Sequence, residues 1–127
     1  MPVDSGLLEQ LYKFLLICVI GGHFFFAYGQ WFKWPALCEK LTDLTGDEVE
    51  KTAFLGRSFA SYNFSVGLGL LLSLFFLNNK ALQAVVLAFI AITALVGANG
   101  TKGNTILLLR FLPAFSALVL LLMSYFL

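Results

Sequence analysis

Four runs of this chain are apolar for the length that crosses a bilayer, and that constrains its fold more than anything else in it. A transmembrane helix takes about 20 mostly apolar residues to span about 30 Å of hydrocarbon. The runs extend from about Leu7 to Phe32, Gly56 to Leu77, Ala81 to Ala98 and Thr105 to Leu127. None alternates in polarity as a spanning strand does, so the expected fold is all-α, a four-helix transmembrane bundle. Hydrophobic residues make up 60% of the chain and charged residues 12%, about half the charged share of a soluble domain. At 127 residues the length suits one domain. A net charge of +1 without a basic stripe or recognition motif gives no case for a nucleic-acid partner.

The cysteines, Cys18 in the first run and Cys38 in a polar stretch, form no Cys-x-x-Cys or Cys/His cluster, and two unpaired thiols are expected. Asp4 and Glu9 precede or open the first run with no basic region before it, so that run reads as a retained helix and not a cleaved signal. Lys13 stands near its start, where a long side chain can snorkel outward. From Pro35 to Lys51 lies the one substantial polar segment. Pro35 suits a helix start, and Leu37, Leu41 and Leu44 share one helical face. The spacing predicts a short helix in the cytoplasmic interface. Thr45 with Glu48 three residues on has the pattern of a capping box, which predicts that the second long helix begins near Asp47.

Lysine and arginine set the expected orientation. Six of them, Lys33, Lys40, Lys51, Arg57, Lys102 and Arg110, lie in or beside the first-to-second and third-to-fourth connections. The opposite side has two, Lys13 and Lys80. The positive-inside rule then places those connections in the cytoplasm and both termini outside, as in a bacterial inner (cytoplasmic) membrane. Trp31 and Trp34 would mark the inner interface.

With that orientation the polar side chains at membrane depth gather in the cytoplasmic half. His23, the sole histidine, is followed in the first helix by Tyr28 and by Gln30, seven residues on and on the same face. The second helix has Arg57, Ser58, Ser61, Tyr62 and Asn63, the third ends at Asn99, and the fourth carries Arg110 just before Pro113. The outer half reads as Leu, Phe, Val and Ala almost throughout. A charged group in hydrocarbon costs at least about 2.5 kcal/mol unless it meets water or a partner. One reading is a ligand pocket lined by His23, Tyr28, Gln30, Arg57, Tyr62, Asn63 and Arg110. In the other, the arginines snorkel to inner-leaflet phosphates while His23 and Asn63 hydrogen-bond between helices. With no second histidine and no membrane carboxylate near His23, no metal site and no cofactor is expected, and no catalytic triad or phosphate loop is present.

Ser61, Ser65, Gly69 and Ser73 recur every four residues. Such a small-residue stripe lets another helix come close, within the bundle or in a homo-oligomer. Pro113 removes one backbone hydrogen bond and frees the carbonyl of Leu109, which either shapes a cavity by a kink or is simply tolerated.

His23-Phe24-Phe25-Phe26-Ala27-Tyr28, Trp31-Phe32 and Trp34, Ser61-Tyr62-Asn63 with Gly69-Leu70-Leu71, then Thr101 and Ile106-Leu107-Leu108 leading to Leu112-Pro113-Ala114 occur in order. In these the chain resembles an uncharacterised family of small four-helix bacterial and fungal membrane proteins, a domain of unknown function. The resemblance implies the bundle and singles out His23, Tyr62 and Asn63. It implies no activity. The chain departs from that pattern at Gly29-Gln30, where a Glu is usual, at Ser58-Phe59-Ala60 in place of Asn-Gln-Gly, and at Arg110 in place of Gln.

The leading expectation is a non-catalytic protein that binds or transports a membrane lipid or a lipophilic, amphipathic small molecule. The alternatives are a small membrane enzyme with His23 as acid–base and a structural subunit of a larger complex. The orientation is open to direct test. Asp43→Cys in a Cys18→Ala, Cys38→Ala background should react with a membrane-impermeant maleimide only when the cytoplasmic face is exposed. Labelling from outside intact cells would reverse the topology.

Overall fold

The computed structural model describes residues 5–126, so Asp4 and the terminal Leu127 of the expected fourth span lie outside it. Six α-helices follow in order: α1 (Ser5–Phe32), α2 (Trp34–Leu41), α3 (Asp47–Lys51), α4 (Ala53–Leu72), α5 (Lys80–Asn99) and α6 (Leu112–Phe126). Two π-helical turns, Ser73–Leu77 and Leu107–Phe111, extend α4 and precede α6. No strand occurs among the described residues. Four helical stretches, Gly6–Phe32, Ala53–Leu77, Lys80–Asn99 and Leu107–Phe126, are long and apolar enough to cross a membrane. By length and composition the chain is an integral membrane protein.

α1 is the central element and packs along both α4 and α6, while α5 packs on α6 and on the π turn before it. One leucine from each span, Leu16, Leu70, Leu87 and Leu121, is completely buried in the half of the bundle where α1 begins and α6 ends, called the outer half below and the opposite half the inner. Lipid tails are as apolar as leucine, so close packing, not escape from solvent, holds these helices together. α4 and α5 touch little beyond the turn that joins them.

That outer turn is built by asparagines. Asn78 takes the left-handed conformation (φ 45°) that asparagine tolerates better than most residues. The Asn79 side chain then caps α5 by accepting from the Leu82 N–H at 3.0 Å. The outer half also holds a polar link that its apolar composition hides. Buried Gln83 donates to the Ser73 carbonyl at 3.1 Å and accepts from the Tyr12 hydroxyl at 2.5 Å. Beside it, Lys80 meets Glu9 at 2.9 Å.

At the inner end the chain leaves α1 at Lys33, and α2 starts with Pro35 in its first turn. The apolar face of α2 is folded onto the bundle: Cys38 and Leu41 are buried, with Leu41 in a cluster with Phe26, Ala94 and Ile106. Lys102 straps it down. Its backbone N–H donates to the Leu41 carbonyl at 2.8 Å and its ammonium to the Glu39 carbonyl at 2.9 Å. The expected capping box at Thr45 and Glu48 does not form. Gly46, with φ 55°, takes the N-cap position and no side chain caps α3, which puts Glu48 one residue short of the third position that a capping box needs. The second long helix begins at Ala53 and not near Asp47, which instead starts the separate short helix α3; between them stands Thr52, whose hydroxyl accepts from the Trp34 indole at 3.1 Å and donates to the Glu48 carbonyl at 2.7 Å.

Within this chain the small-residue stripe is not the packing face. Ser61, Ser65 and Gly69 face outward and only Ser73 is buried, whereas Gly56, Ala60, Asn63, Gly67 and Leu70 turn inward. At 3.6 residues per turn, steps of four drift about 40° each. Alternating steps of four and three stay on one face, and that is the spacing of the buried set. A Cβ on Gly56 would stand 2.5 Å from the Trp34 ring and 2.8 Å from the Gln30 carbonyl, whereas one on Gly69 would meet nothing within 4 Å. Gly56→Ala should therefore lower stability in detergent by about 1–3 kcal/mol, and Gly69→Ala should leave it unchanged or raise it by up to about 1 kcal/mol. Thermal unfolding of both variants tests this; equal effects would mean the buried face is misassigned.

Candidate functional site

Asn63 sits on the inward face of α4, opposite α1 and the π turn of residues Leu107–Phe111. Its amide N–H donates to Gln30 Oε1 at 2.6 Å, and its amide oxygen accepts from Arg110 Nη2 at 3.0 Å. One asparagine thus joins three separate membrane elements. The Arg110 guanidinium also lies over the Phe26 ring, 5.6 Å from its centroid, a distance at which the negative ring face attracts a cation. The π turn matters here because it inserts an extra residue into the helix, a device frequent at functional sites. Pro113 follows at once, and the Leu109 carbonyl lies 3.9 Å from where a Cβ on Gly22 of α1 would stand, an ordinary contact distance.

Arg110 carries a charge that the fold does not neutralise. Among the described residues the ion pairs are those of Lys13 and Lys80 with Glu9 and of Lys102 with Asp43. Its Nε is buried and makes no hydrogen bond among the described residues. A guanidinium at membrane depth with only neutral partners is costly, and any anion that reaches it replaces a large solvation loss with charge-assisted hydrogen bonds.

Such an anion has room. A cavity of about 540 Å³ opens onto Arg110 and Asn63, within the range of small-molecule sites. Phe26 and Gln30 of α1 line one side, Ser58, Phe59 and Tyr62 of α4 and Thr93 and Gly97 of α5 the flanks, and Leu37, Cys38 and Leu41 of α2 cover the inner end. Burial pushes the Cys38 thiol above its ordinary pKa, which keeps it protonated and unreactive. No three metal-ligating side chains come together among the described residues.

Of the seven expected site residues, Gln30, Tyr62, Asn63 and Arg110 line this cavity, and His23, Tyr28 and Arg57 do not. Helix geometry accounts for each. His23 shares the face of Gln30 but lies about 10 Å deeper along α1. It is buried, with Nδ1 at 2.9 Å from the Val19 carbonyl, so Nδ1 carries the donated proton and Nε2 has no partner among the described residues. Tyr28 is about 160° around α1 from Gln30; its ring lies 5.2 Å from that of Phe32, and it lines an outward groove between α1 and α4. Arg57 is exposed, about 120° around α4 from Asn63. Of the wall residues, Thr93 and Gly97 were not singled out in the sequence, and Ser58 and Cys38 were noted there without being placed in a pocket. Thr93 and Gly97 stand about one turn apart in the apolar run between Gln83 and Asn99 of α5, a signal available in the sequence.

Asn63→Leu would leave Arg110 and Gln30 without their shared partner, and each buried polar group so orphaned costs about 1–3 kcal/mol. A clear fall in thermal stability in detergent is the expected result. Unchanged stability would mean that this hydrogen-bonded chain does not hold the three elements together.

The comparisons with known proteins match the chain to one family. A family model described as "Protein of unknown function (DUF1304)" matches residues 10–122. None of the curated proteins matches the chain, and none of the solved structures does. The match covers the second and third membrane helices whole, most of the first and fourth and every residue of the cavity wall, so the chain belongs to the DUF1304 family of proteins of unknown function.

Proposed function

We propose that this protein binds or transports a lipid or small amphipathic solute with an anionic group, held in the cavity beneath α2. The observation that carries the reading is Arg110: a positive charge without a carboxylate partner among the described residues, fixed by Asn63 at the wall of a 540 Å³ cavity. Asn63, Gln30 and the Tyr62 hydroxyl orient the ligand's remaining polar atoms, and apolar walls take its hydrocarbon part. The chain acts from the cytoplasmic half of a bacterial inner membrane with both termini outside, as its lysines and arginines indicate. Its homo-oligomer would meet through Ser61, Ser65 and Gly69, the members of the stripe left facing outward.

Two substitutions separate ligand binding from structural support. Arg110→Leu removes the charge. Asn63→Asp keeps the side-chain shape and puts a carboxylate against Arg110, so the guanidinium is neutralised from within, and the Gln30 amide turns over to donate in place of the lost Asn63 N–H. Native mass spectrometry of protein purified in mild detergent should find a stoichiometric bound mass in the parent and none in either variant. Equal occupancy in all three would remove the anion site.

A further inference from the structure

The cavity has one side that no helix closes. α4 and α5 are joined at the outer end by a two-residue turn and touch little below it, and the cavity occupies the gap between them at the inner end. The residues flanking that gap, Ser58, Phe59 and Tyr62 on α4 and Thr93 on α5, are exposed at membrane depth, where the surrounding medium is lipid. Toward the cytoplasm, by contrast, α2 covers the cavity with Cys38 only 1% and Leu41 8% exposed, and the Lys102 strap ties it to the α5–α6 connection. Arg110 stands about one and a half turns, roughly 8 Å, into its helix, a short way below the depth of inner-leaflet headgroups. It is the one arginine or lysine on the cavity wall, which suits a ligand with a single negative charge.

On the reading of the cavity as an anion site, we propose that the seam between α4 and α5 is a lateral portal for a singly charged anionic amphiphile of the inner leaflet. The amphiphile slides in head first between Tyr62 and Thr93 until its head reaches Arg110, while its chain stays in the seam and continues into the lipid. The exposed tyrosine and threonine at the edges can hydrogen-bond the head on its way, and α2 need not move.

Trp34 lines the cavity and Trp31 does not, so a Trp31→Phe background makes Trp34 a reporter. In phosphatidylcholine vesicles, a long-chain fatty acid brominated on its chain should quench Trp34 saturably, and Arg110→Leu should abolish that quenching. Thr93→Phe, which fills the seam, should slow association about tenfold or more. Tyr62→Ala, which widens it, should speed association, and Lys102→Ala, which removes the ammonium's hold on α2 and keeps only the backbone bond to Leu41, should leave the rate unchanged. Wild-type rates in both seam variants, or faster entry in Lys102→Ala, would overturn the portal and leave the anion site standing. So would Arg110-dependent quenching by water-soluble bromobenzoate at a rate that Thr93→Phe does not slow, since the anion would then come from the aqueous side. No saturable quenching of the parent by either probe would overturn the anion site itself.

Discussion

Everything at the inner end of this bundle depends on what Arg110 is allowed to touch. A guanidinium in the hydrocarbon zone must be compensated, and the fold compensates it with neutral groups: the Asn63 amide oxygen and the Phe26 ring face. Dipoles and a quadrupole lower the cost of burying the charge without cancelling it. A carboxylate at position 63 would give a stable closed pair of the kind that buried ions usually form. The amide leaves the positive charge in place and passes its own N–H on to Gln30. One polar chain therefore positions three elements and keeps a net charge beside an open space.

The two ends of the bundle are built in opposite ways. Where α1 begins, Tyr12, Gln83 and the Ser73 carbonyl close a hydrogen-bonded link, and Lys80 meets Glu9. Donors and acceptors there find each other around a smaller cavity of about 150 Å³. At the end covered by α2, the polar residues meet across a gap that they do not fill, because α5 leans on α6 and away from α4. The π turn belongs to this difference. Leu112 donates to the Leu107 carbonyl over the wider spacing, in the turn that carries Arg110 toward Asn63.

Much of this was legible in the sequence, for identifiable reasons. Hydrophobic length alone reveals a membrane helix, because hydrocarbon admits no unsatisfied backbone. Asn63, Gln30 and Arg110 could be found because polar side chains stand out against an apolar background. What depth does not reveal is angle. Tyr28 and Arg57 lie at the right level on the wrong side of their helices, and His23 lies on the right side at the wrong level. The fours of Ser61, Ser65 and Gly69 looked like a packing stripe because the drift of an exact four-residue step is invisible until the helix is seen in its place. Gln83 was passed over in a span of leucines and valines, although a lone amide there needed a partner as much as Asn63 did. The π turns leave no mark in the sequence beyond Pro113, and the capping box was lost to Gly46, a neighbour better suited to the turn.

The asparagine turn between α4 and α5 has a mechanical consequence. Both helices are rods of about 30 Å, fastened directly to each other by Asn78 and Asn79, while their far ends are held through other elements, α4 by Trp34 and Arg110 and α5 by its packing on the π turn before α6. A change of about 5° at the fastening would move the far tips by about 3 Å over a 30 Å arm. Small torsional adjustments in two residues on one side of the membrane would thereby be magnified into a change of aperture on the other, as far as those ties yield.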